Sequence, residues 1–354
     1  MSGDEILIER HGGLGIVTLN RPQALNTLSL AMYRRFDPAL AAWADDAAVQ
    51  AVLVRGAGGR AFCAGGDVVA IYEARAEQGG AGYKADFFSE EYRLVQRVYR
   101  FPKPYVAVMN GVTMGGGAGI AVNGGVRVAT DNTLFAMPEV QIGLFPDVAA
   151  TRFLNLCPGR IGLFLALTGK RIGAADALYC RLATHFVPQD RLEALTAALS
   201  VLDWGDQPAA QLDSEIARVA AEPGPAILSS LRADIDRVFA GDSVEAIAAA
   251  LEREPGGWAR EARDAMATAS PLSLKITFRQ LMHGALPVEA ALQLEYRLTQ
   301  HIMEGHDFFE GIRALLIDKD RKPRWQHATP AAVSEAELDA YFAPIGAREL
   351  VFER

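Results

Sequence analysis

The chain has 354 residues, half of them hydrophobic and 22% charged, so it can bury a large core and is not expected to be disordered. Its formal net charge of −8 argues against nucleic acid as the main partner, because phosphate backbones are bound by basic surfaces. The three cysteines are widely spaced without a CxxC pair, which favours neither a disulfide framework nor a zinc site.

The N-terminal residues lack the basic and apolar segments of a signal peptide. They are also acidic and poor in Arg and Ser, unlike a transit peptide. The apolar runs of the chain are too short or too interrupted to span a bilayer. We therefore expect a cytoplasmic protein with no membrane partner.

Strand and helix signals alternate over the first part of the chain. Two alternating apolar runs around His11-Gly12-Gly13 predict a β-hairpin over residues 6–19. Helical spacing then follows Ser29, which is a candidate N-cap. The next predicted elements are a strand at 51–58, a helix at 68–78, a flexible glycine-rich loop at 79–82 and a helix at 86–99.

The strand, turn and glycine pattern of AVLVRGAGGRAFCAGGD returns in YVAVMNGVTMGGGAG, which indicates a spiral of similar units. Two further strands, a loop at EVQIGLFPD, a largely helical stretch at 149–169 and a last strand at 183–188 follow. After Trp204 the strand signals vanish and helical periodicity continues. The fold class is therefore α/β, with a predicted core over residues 1–204 and an α-helical region over 205–354.

Two glycine turns, Ala64-Gly65-Gly66-Asp67 and Gly115-Gly116-Gly117, each follow an apolar strand and open a helix. Amides at a helix N-terminus lack intrahelical acceptors, and glycine lets a ligand approach them closely. Two such turns brought together would supply the paired donors of an oxyanion hole. The alternative is that the glycines serve only tight turns, and the spacing does not decide between the two.

Three acids interrupt apolar surroundings. Glu139 and Asp147 lie in MPEVQIGLFPD, and they are either site residues or exposed loop acids and helix caps. Glu91 shares one helix face with Phe87, Leu94 and Val98 by its spacing. An acid on such a face is either an ion-paired core residue or a residue that faces a cavity.

The two glycine segments, VLVRGAGGRAFCAGGDV and KPYVAVMNGVTMGGGAG, resemble the crotonase, or enoyl-CoA hydratase/isomerase, superfamily, as does NRPQALNTL. More narrowly, FFSEEYRL, FAMPEVQIGLFPDV and EGIRALLIDKDRKPRW resemble its 3-hydroxyisobutyryl-CoA hydrolases over nearly the whole chain. The resemblance implies a crotonase-like spiral of strand–strand–helix turns with a helical C-terminal region. It also implies an acyl-CoA substrate, a possible homo-oligomer and a role in valine breakdown.

The resemblance implies roles for particular residues. The N–H groups of Gly66 and Gly116 would form the oxyanion hole, with Glu139 within reach. Glu91, Gly116, Glu139 and Asp147 match positions that bind or process the substrate. The coenzyme A arm would lie along Gln23, Ala24, Leu25, Ala64, Gly66, Asp67 and Val68.

One departure from the hydratase pattern concerns the reaction. Hydratases of this superfamily carry a first glutamate where this chain has Gly119, and usually a glycine where it has Asp147. One acid is lost and another gained, which indicates a different chemistry. The FPD signature resembles the hydrolases, and this resemblance implies hydrolysis of a short β-hydroxyacyl-CoA, with no cofactor and no metal. The alternatives are an enoyl-CoA hydratase or isomerase with relocated acids, and a non-catalytic acyl-CoA binding protein.

Overall fold

The computed structural model describes residues 4–75 and 80–352. The chain divides into two compact units, each assembled from three separate segments. The first contains the chain up to Gly66, Arg93–Phe135 and Ile172–Ile227, and the second contains Asp67–Tyr92, Ala136–Arg171 and the chain from Leu228 onward. The sequence-based division at residue 204 concerns element type, and it stays a prediction.

Nine strands form two sheets among the described residues. The larger sheet has the order β1-β2-β3-β5-β7-β9, and the smaller has the order β4-β6-β8. The β1–β2 hairpin is antiparallel, as predicted, and the pairs from β2 to β9 are parallel. The strands are β1 Ile6–His11, β2 Leu14–Leu19, β3 Ala51–Gly56, β4 Ala61–Cys63, β5 Tyr105–Met109, β6 Val112–Met114, β7 Val126–Ala129, β8 Leu134–Ala136 and β9 His185–Phe186.

Consecutive strands alternate between the two sheets from β3 to β8. Each longer strand enters the six-stranded sheet, and the short strand after it enters the three-stranded one. A helix follows the short strand β4, and another follows the short strand β6. This strand–strand–helix order is the repeat that the sequence predicted.

The helices of the first unit cover its larger sheet. Ser29 caps the first helix as expected, because its hydroxyl accepts the Met32 N–H at 3.2 Å. Side chains of β2, β3, β5 and β7 form a buried core with residues of two later helices and Trp204. The helices that lie wholly in this unit are α1 Leu30–Asp45, α4 Gly116–Val122, α7 Ala174–Tyr179, α8 Leu192–Ser200 and α9 Pro208–Val219.

The second unit is mainly helical, and none of the described helices in either unit is long and apolar enough to cross a bilayer. The 3-10 helix Glu139–Ile142 and the π-helix Arg313–Ile317 also belong to it. The α-helices of the second unit are α2 Val68–Ala74, α3 Gly80–Arg100, α5 Ala150–Phe153, α6 Ile161–Thr168, α10 Ile227–Val238, α11 Val244–Arg253, α12 Gly257–Thr268, α13 Pro271–Leu281, α14 Val288–Ile302, α15 Asp307–Ile312 and α16 Glu335–Phe342. Helix α3 begins in this unit and continues into the first one.

One local prediction was wrong. Of the expected loop at 79–82, Gly79 lies outside the described residues, and the rest forms the start of α3. The rings of Tyr83 and Phe87 lie 6.3 Å apart one turn on, so side-chain contact outweighs the weak helix propensity of glycine. The stretch at 149–169 is largely helical, as predicted, because it contains α5 and α6, and Pro158-Gly159 lies between the two helices.

Candidate active site

The two predicted glycine turns meet within the first unit. Gly65 has a φ of +116°, and Gly115 has φ and ψ of 50° and −127°, conformations that suit glycine alone. A β-carbon placed on Gly65 would lie 3.5 Å from the Met114 carbonyl oxygen and 3.8 Å from the Gly116 nitrogen. Turns 50 residues apart in sequence are therefore neighbours in space.

Gly116 opens α4, and the Gly115 N-cap has no side chain to accept the amides of the first turn. Those amides also lack intrahelical acceptors. Gly117 lets α4 lie against β4, since a β-carbon there would lie 2.3 Å from the Cys63 carbonyl oxygen. The first amides of α4, which no N-cap side chain accepts, therefore lie next to the Gly65 turn, an arrangement that an oxyanion hole requires.

The predicted coenzyme A segment also lies in the first unit. Leu25 follows the 3-10 helix Pro22–Ala24, and its carbonyl oxygen accepts the Ala64 N–H at 3.0 Å. Leu25 and Asn26 both have positive φ, 51° and 58°. The buried Asn26 side chain holds this strained turn by donating to the Ala57 and Ala61 carbonyls at 3.0 and 2.8 Å. Leu25 and Ala64 are thus brought together, while Gln23 is exposed.

Asp67 and Val68, the remaining residues predicted for the coenzyme A arm, belong to the second unit. Asp67 caps α2, because its carboxylate accepts the Ala70 N–H at 3.2 Å. The fold thus gives Asp67 a structural role, and its predicted contact with coenzyme A stays a prediction.

The three predicted acids lie in the second unit and are buried. Glu91 is 3% exposed, Glu139 5% and Asp147 4%. The reading of Glu139 and Asp147 as exposed loop acids is therefore excluded. Asp147 is not the N-cap residue of α5 either, because that position is taken by Ala149, which makes no side-chain cap hydrogen bond. Buried carboxylates without an evident packing role are candidates for chemistry.

Asp147 is held by a buried tyrosine that the sequence did not single out. The Tyr92 hydroxyl donates to Oδ2 of Asp147 at 2.7 Å. Burial raises the pKa of the Asp147 carboxyl to about 6, and the Tyr92 hydrogen bond opposes that rise by favouring the ionised form. Burial and the nearby charge of Asp147 raise the pKa of Tyr92, so the phenol stays protonated and remains a donor.

Glu139 stands at the start of the 3-10 helix Glu139–Ile142. Burial, and then the charge of Asp147, raise the pKa of Glu139 well above its usual range, with a smaller effect from Glu91. Its Oε2 atom is buried and has no hydrogen-bond partner among the described residues. A buried carboxylate oxygen left over in this way is available to a substrate or a water molecule.

Another buried acid near Asp147 in the structure, Glu295 of α14, was missed. Its carboxylate accepts the N–H groups of Ala149 and Thr151 at 2.6 and 2.9 Å, close after Asp147 in the chain. Burial raises the pKa of Glu295 to about 8, although the Thr151 donors oppose this. The signal was available, since Glu295 shares a helix face with Ala291, Leu298 and Ile302, the spacing that identified Glu91.

The cysteines and Gly119 also have defined places in the described residues. All three cysteines are free and buried, and Cys63 lies against Gly65, with a distance of 3.4 Å from its sulfur to the Gly65 nitrogen. Gly119, which the resemblance matches to the first acid of the hydratases, is buried inside α4. No group of three or more His, Cys, Asp and Glu side chains suited to a metal ion occurs in the described part of the chain.

Comparison with known proteins shows the family. A family model described as enoyl-CoA hydratase/isomerase matches residues 14–342. The 3-hydroxyisobutyryl-CoA hydrolase, mitochondrial, of Danio rerio is 46% identical over 99% of this chain and 92% of its own length. The protein of that name from Homo sapiens is 41% identical over 99% of this chain and 92% of its own length.

Solved structures confirm the crotonase-like fold. A carnitinyl-CoA dehydratase from Mycobacterium thermoresistibile matches with a TM-score of 0.92 and 42% identity over 99% of both chains. An enoyl-CoA hydratase from Rhodobacter sphaeroides matches with a TM-score of 0.91 and 40% identity, covering 99% of this chain and 100% of its own. The names of the relatives therefore agree on coenzyme A esters and differ on the reaction.

The comparisons also correct one prediction. The expected cytoplasmic location is wrong, because the relatives from fish, frog and mammals are named as mitochondrial proteins. The prediction relied on the composition of the N-terminal residues, which is a poor guide to compartment.

Proposed function

Because this chain belongs to the enoyl-CoA hydratase/isomerase family, we propose from its site residues that it hydrolyses a short β-hydroxyacyl-CoA thioester. The relatives named 3-hydroxyisobutyryl-CoA hydrolase make 3-hydroxyisobutyryl-CoA the favoured substrate, with 3-hydroxyisobutyrate and coenzyme A as products. The proposal calls for no cofactor, since coenzyme A is part of the substrate. Homo-oligomer formation and a place in valine breakdown remain expectations of the family.

The observation that carries this proposal is the buried pair Glu139 and Asp147, combined with glycine at position 119. Hydration of an enoyl-CoA in the hydratase pattern uses an acid at position 119, and glycine supplies none. This chain has instead the carboxylate of Glu139, one oxygen of which has no hydrogen-bond partner among the described residues, and the carboxylate of Asp147, which Tyr92 holds in place. Such a pair suits the activation of water beside a thioester carbonyl.

The proposed reaction assigns the carbonyl oxygen to the N–H groups of Gly66 and Gly116. Negative charge develops on that oxygen when the carbonyl carbon is attacked, and each donor can lower the barrier by ~3–4 kcal/mol. Glu139 takes a proton from the attacking water, whose oxygen bonds to the carbonyl carbon. The carbon–sulfur bond then breaks, and the coenzyme A thiolate leaves and is protonated. Asp147 orients the water or passes that proton.

A covalent variant of this reaction uses Glu139 as the nucleophile. Its carboxylate oxygen would attack the carbonyl carbon, release the thiolate and leave a mixed anhydride that water then cleaves. A single turnover in ¹⁸O-water tests for the anhydride. Label that appears in Glu139 identifies an anhydride cleaved at the Glu139 carbonyl and excludes pure general-base attack, whereas label in the acyl product alone fits general-base attack and also an anhydride cleaved at the acyl carbonyl.

The acyl preference is assigned to Glu91, whose carboxylate would bind the 3-hydroxyl group. A site built to hydrogen-bond a hydroxyl discriminates strongly against the analogue that lacks it, because the site's polar group is then left unpaired. The burial of Glu91 supports this assignment. The segment Gln23-Ala24-Leu25, with Ala64, Asp67 and Val68, is assigned to the coenzyme A arm.

A second candidate is an enoyl-CoA hydratase with relocated acids, which the names of the two structural neighbours favour. A panel of CoA esters separates it from the hydrolase. We expect 3-hydroxyisobutyryl-CoA to release a free thiol, isobutyryl-CoA to release it more slowly, and crotonyl-CoA to show no loss of its enoyl absorbance. Loss of that absorbance without thiol release would identify the hydratase. Tight binding of esters without any turnover would identify a binding protein.

A further inference from the structure

The loop that carries Asp147 has an unusual backbone. Val148 and Ala149, the two residues after the acid, have φ values of 56° and 69° and are fully buried. Residues with a β-carbon avoid this left-handed region, and a β-branched valine avoids it most. Strain of this kind persists only where the surroundings over-determine the conformation. The question is which groups hold the turn.

Glu295 holds the side of the loop after Asp147. Its Oε2 accepts the Ala149 N–H at 2.6 Å, while its Oε1 accepts the Thr151 N–H at 2.9 Å and the Thr151 hydroxyl at 2.7 Å. All three partners are donors, so both oxygens of the Glu295 carboxylate accept hydrogen bonds from the turn. The turn precedes α5, which has no side-chain cap of its own. A remote acid therefore takes the place of a local cap.

Gln280 of α13 holds the side before Asp147. Its Nε2 donates to the Pro146 carbonyl at 2.7 Å and to the Thr151 hydroxyl oxygen at 2.8 Å. Its own oxygen is buried without a partner among the described residues. An amide turned the other way would place oxygen against the Pro146 oxygen, so the orientation of Gln280 is fixed by the loop.

We propose that Glu295, assisted by Gln280, is a positioning residue that fixes the carboxylate of Asp147 for thioester cleavage by clamping the strained Val148–Ala149 turn on both sides. The expected effect on kcat rests on the proposed function. The clamp itself, which is a set of hydrogen bonds, does not depend on that function. The C-terminal helices α13 and α14 thereby contribute to the positioning of Asp147.

The test is Glu295→Gln, which keeps the shape of the side chain but replaces one accepting oxygen with a donor. We expect kcat for CoA release to fall ~10- to 100-fold with KM nearly unchanged, since a misplaced catalytic group loses rate rather than substrate binding. The control is Leu298→Ala, which removes a buried side chain of α14 one turn away. This substitution destabilises the helix but leaves the hydrogen bonds of the turn in place. At temperatures well below the melting temperature of the variant, we therefore expect its kcat to stay near the wild-type value.

Amide hydrogen exchange of the peptide around Asp147–Thr151 supplies a readout that does not depend on activity. We expect faster exchange there in Glu295→Gln and not in Leu298→Ala. Unchanged exchange, or a kcat equal to that of Leu298→Ala, overturns the proposal. If the wild-type protein cleaves no ester, the proposed function fails, and exchange alone decides the clamp.

Should Glu295→Gln fail to fold, Gln280→Leu carries the same test. It removes the donors to Pro146 and Thr151 and leaves the three bonds of Glu295 to Ala149 and Thr151 intact. Faster local exchange with reduced kcat supports the clamp, and wild-type values of both contradict it.

Discussion

The two compact units build their candidate site residues from different chemical material. The first unit offers backbone N–H groups on turns that only glycine can form, such as those at Gly65 and Gly115. The second offers carboxylates, Glu139 and Asp147, whose pKa values burial has raised. Backbone amides do not titrate, while buried acids do. We therefore expect substitutions in the first unit to act through steric clashes, and those in the second to act through charge and pH.

The largest effect is expected where the acid itself is removed. Glu139→Gln keeps the side-chain volume but cannot take a proton or form an anhydride, so kcat for thioester cleavage falls by ~10²–10⁴-fold or below detection. Binding of a CoA ester, measured by calorimetry, is retained. The matched control is Glu215→Gln, at a buried acid of α9 in the first unit, which leaves kcat unchanged. Near-normal kcat in Glu139→Gln refutes the assignment.

Asp147→Asn tests the charge side of the comparison through stability. The folded state raises the pKa of Asp147 from 3.8 to about 6, so the protonated acid is favoured by folding. That contribution is present below about pH 4 and is lost as the pH rises through about 6. Asparagine does not titrate and still accepts from Tyr92. The variant therefore gains free energy of unfolding relative to wild type as the pH rises from 4 to 7.

Urea unfolding of both proteins across this range measures that gain, while CoA release measures the accompanying loss of activity. A stability difference that is flat with pH would show that the Asp147 carboxyl titrates alike in the folded and unfolded chain. Opposite signs for stability and activity are the expected mark of an acid buried for its chemistry.

The sequence predicted the parts of the candidate site that depend on local pattern. The glycine turns could be recognised because no other residue tolerates their backbone conformation. Glu139 and Asp147 could be recognised because acids interrupt an apolar segment bounded by prolines. The strand–strand–helix repeat was readable for the same reason. Each of these features is contained in a short stretch of chain.

The supporting residues could not be assigned from the sequence because their partners are distant in it. Glu295 lies 146 residues beyond Ala149, and Tyr92 lies 55 residues before Asp147. Helix spacing marks Glu295 as a buried acid, but it does not say which amides that acid accepts. The start of α3 at Gly80 was not predicted for a related reason, since contact between Tyr83 and Phe87 outweighs the weak helix propensity of glycine.

Gly117→Ala tests the steric side of the comparison. The added β-carbon would lie 2.3 Å from the Cys63 carbonyl oxygen and 2.7 Å from the Cys63 β-carbon, so α4 must move away from β4. We expect a loss of about 2 kcal/mol in unfolding free energy and a lower kcat, because Gly116 moves with the helix. The control is Gly125→Ala, where nothing lies within 4 Å of the new β-carbon. Equal stabilities of the two variants would contradict the close approach of α4 and β4.

The smallest expected effect comes from Tyr92→Phe, which removes the hydrogen bond to Asp147 and keeps the ring. That bond favours the ionised carboxylate, so its loss raises the pKa of Asp147 above about 6. Glu91, Glu139 and Glu295 remain around the site, and their negative charges act in the same direction. We expect the corresponding limb of the pH profile of kcat to move to higher pH by about one unit.

Tyr105→Phe is the matched control for Tyr92→Phe. Tyr105 is buried in the first unit, and its hydroxyl donates to the Ile120 carbonyl at 2.9 Å. Its removal costs stability without touching a titrating group, so the apparent pKa of kcat stays in place. A shift to lower pH in Tyr92→Phe, or equal shifts in both variants, would mean that Tyr92 does not set the protonation of Asp147. A shift confined to Tyr92→Phe would place the pH dependence of the reaction in the acids of the second unit.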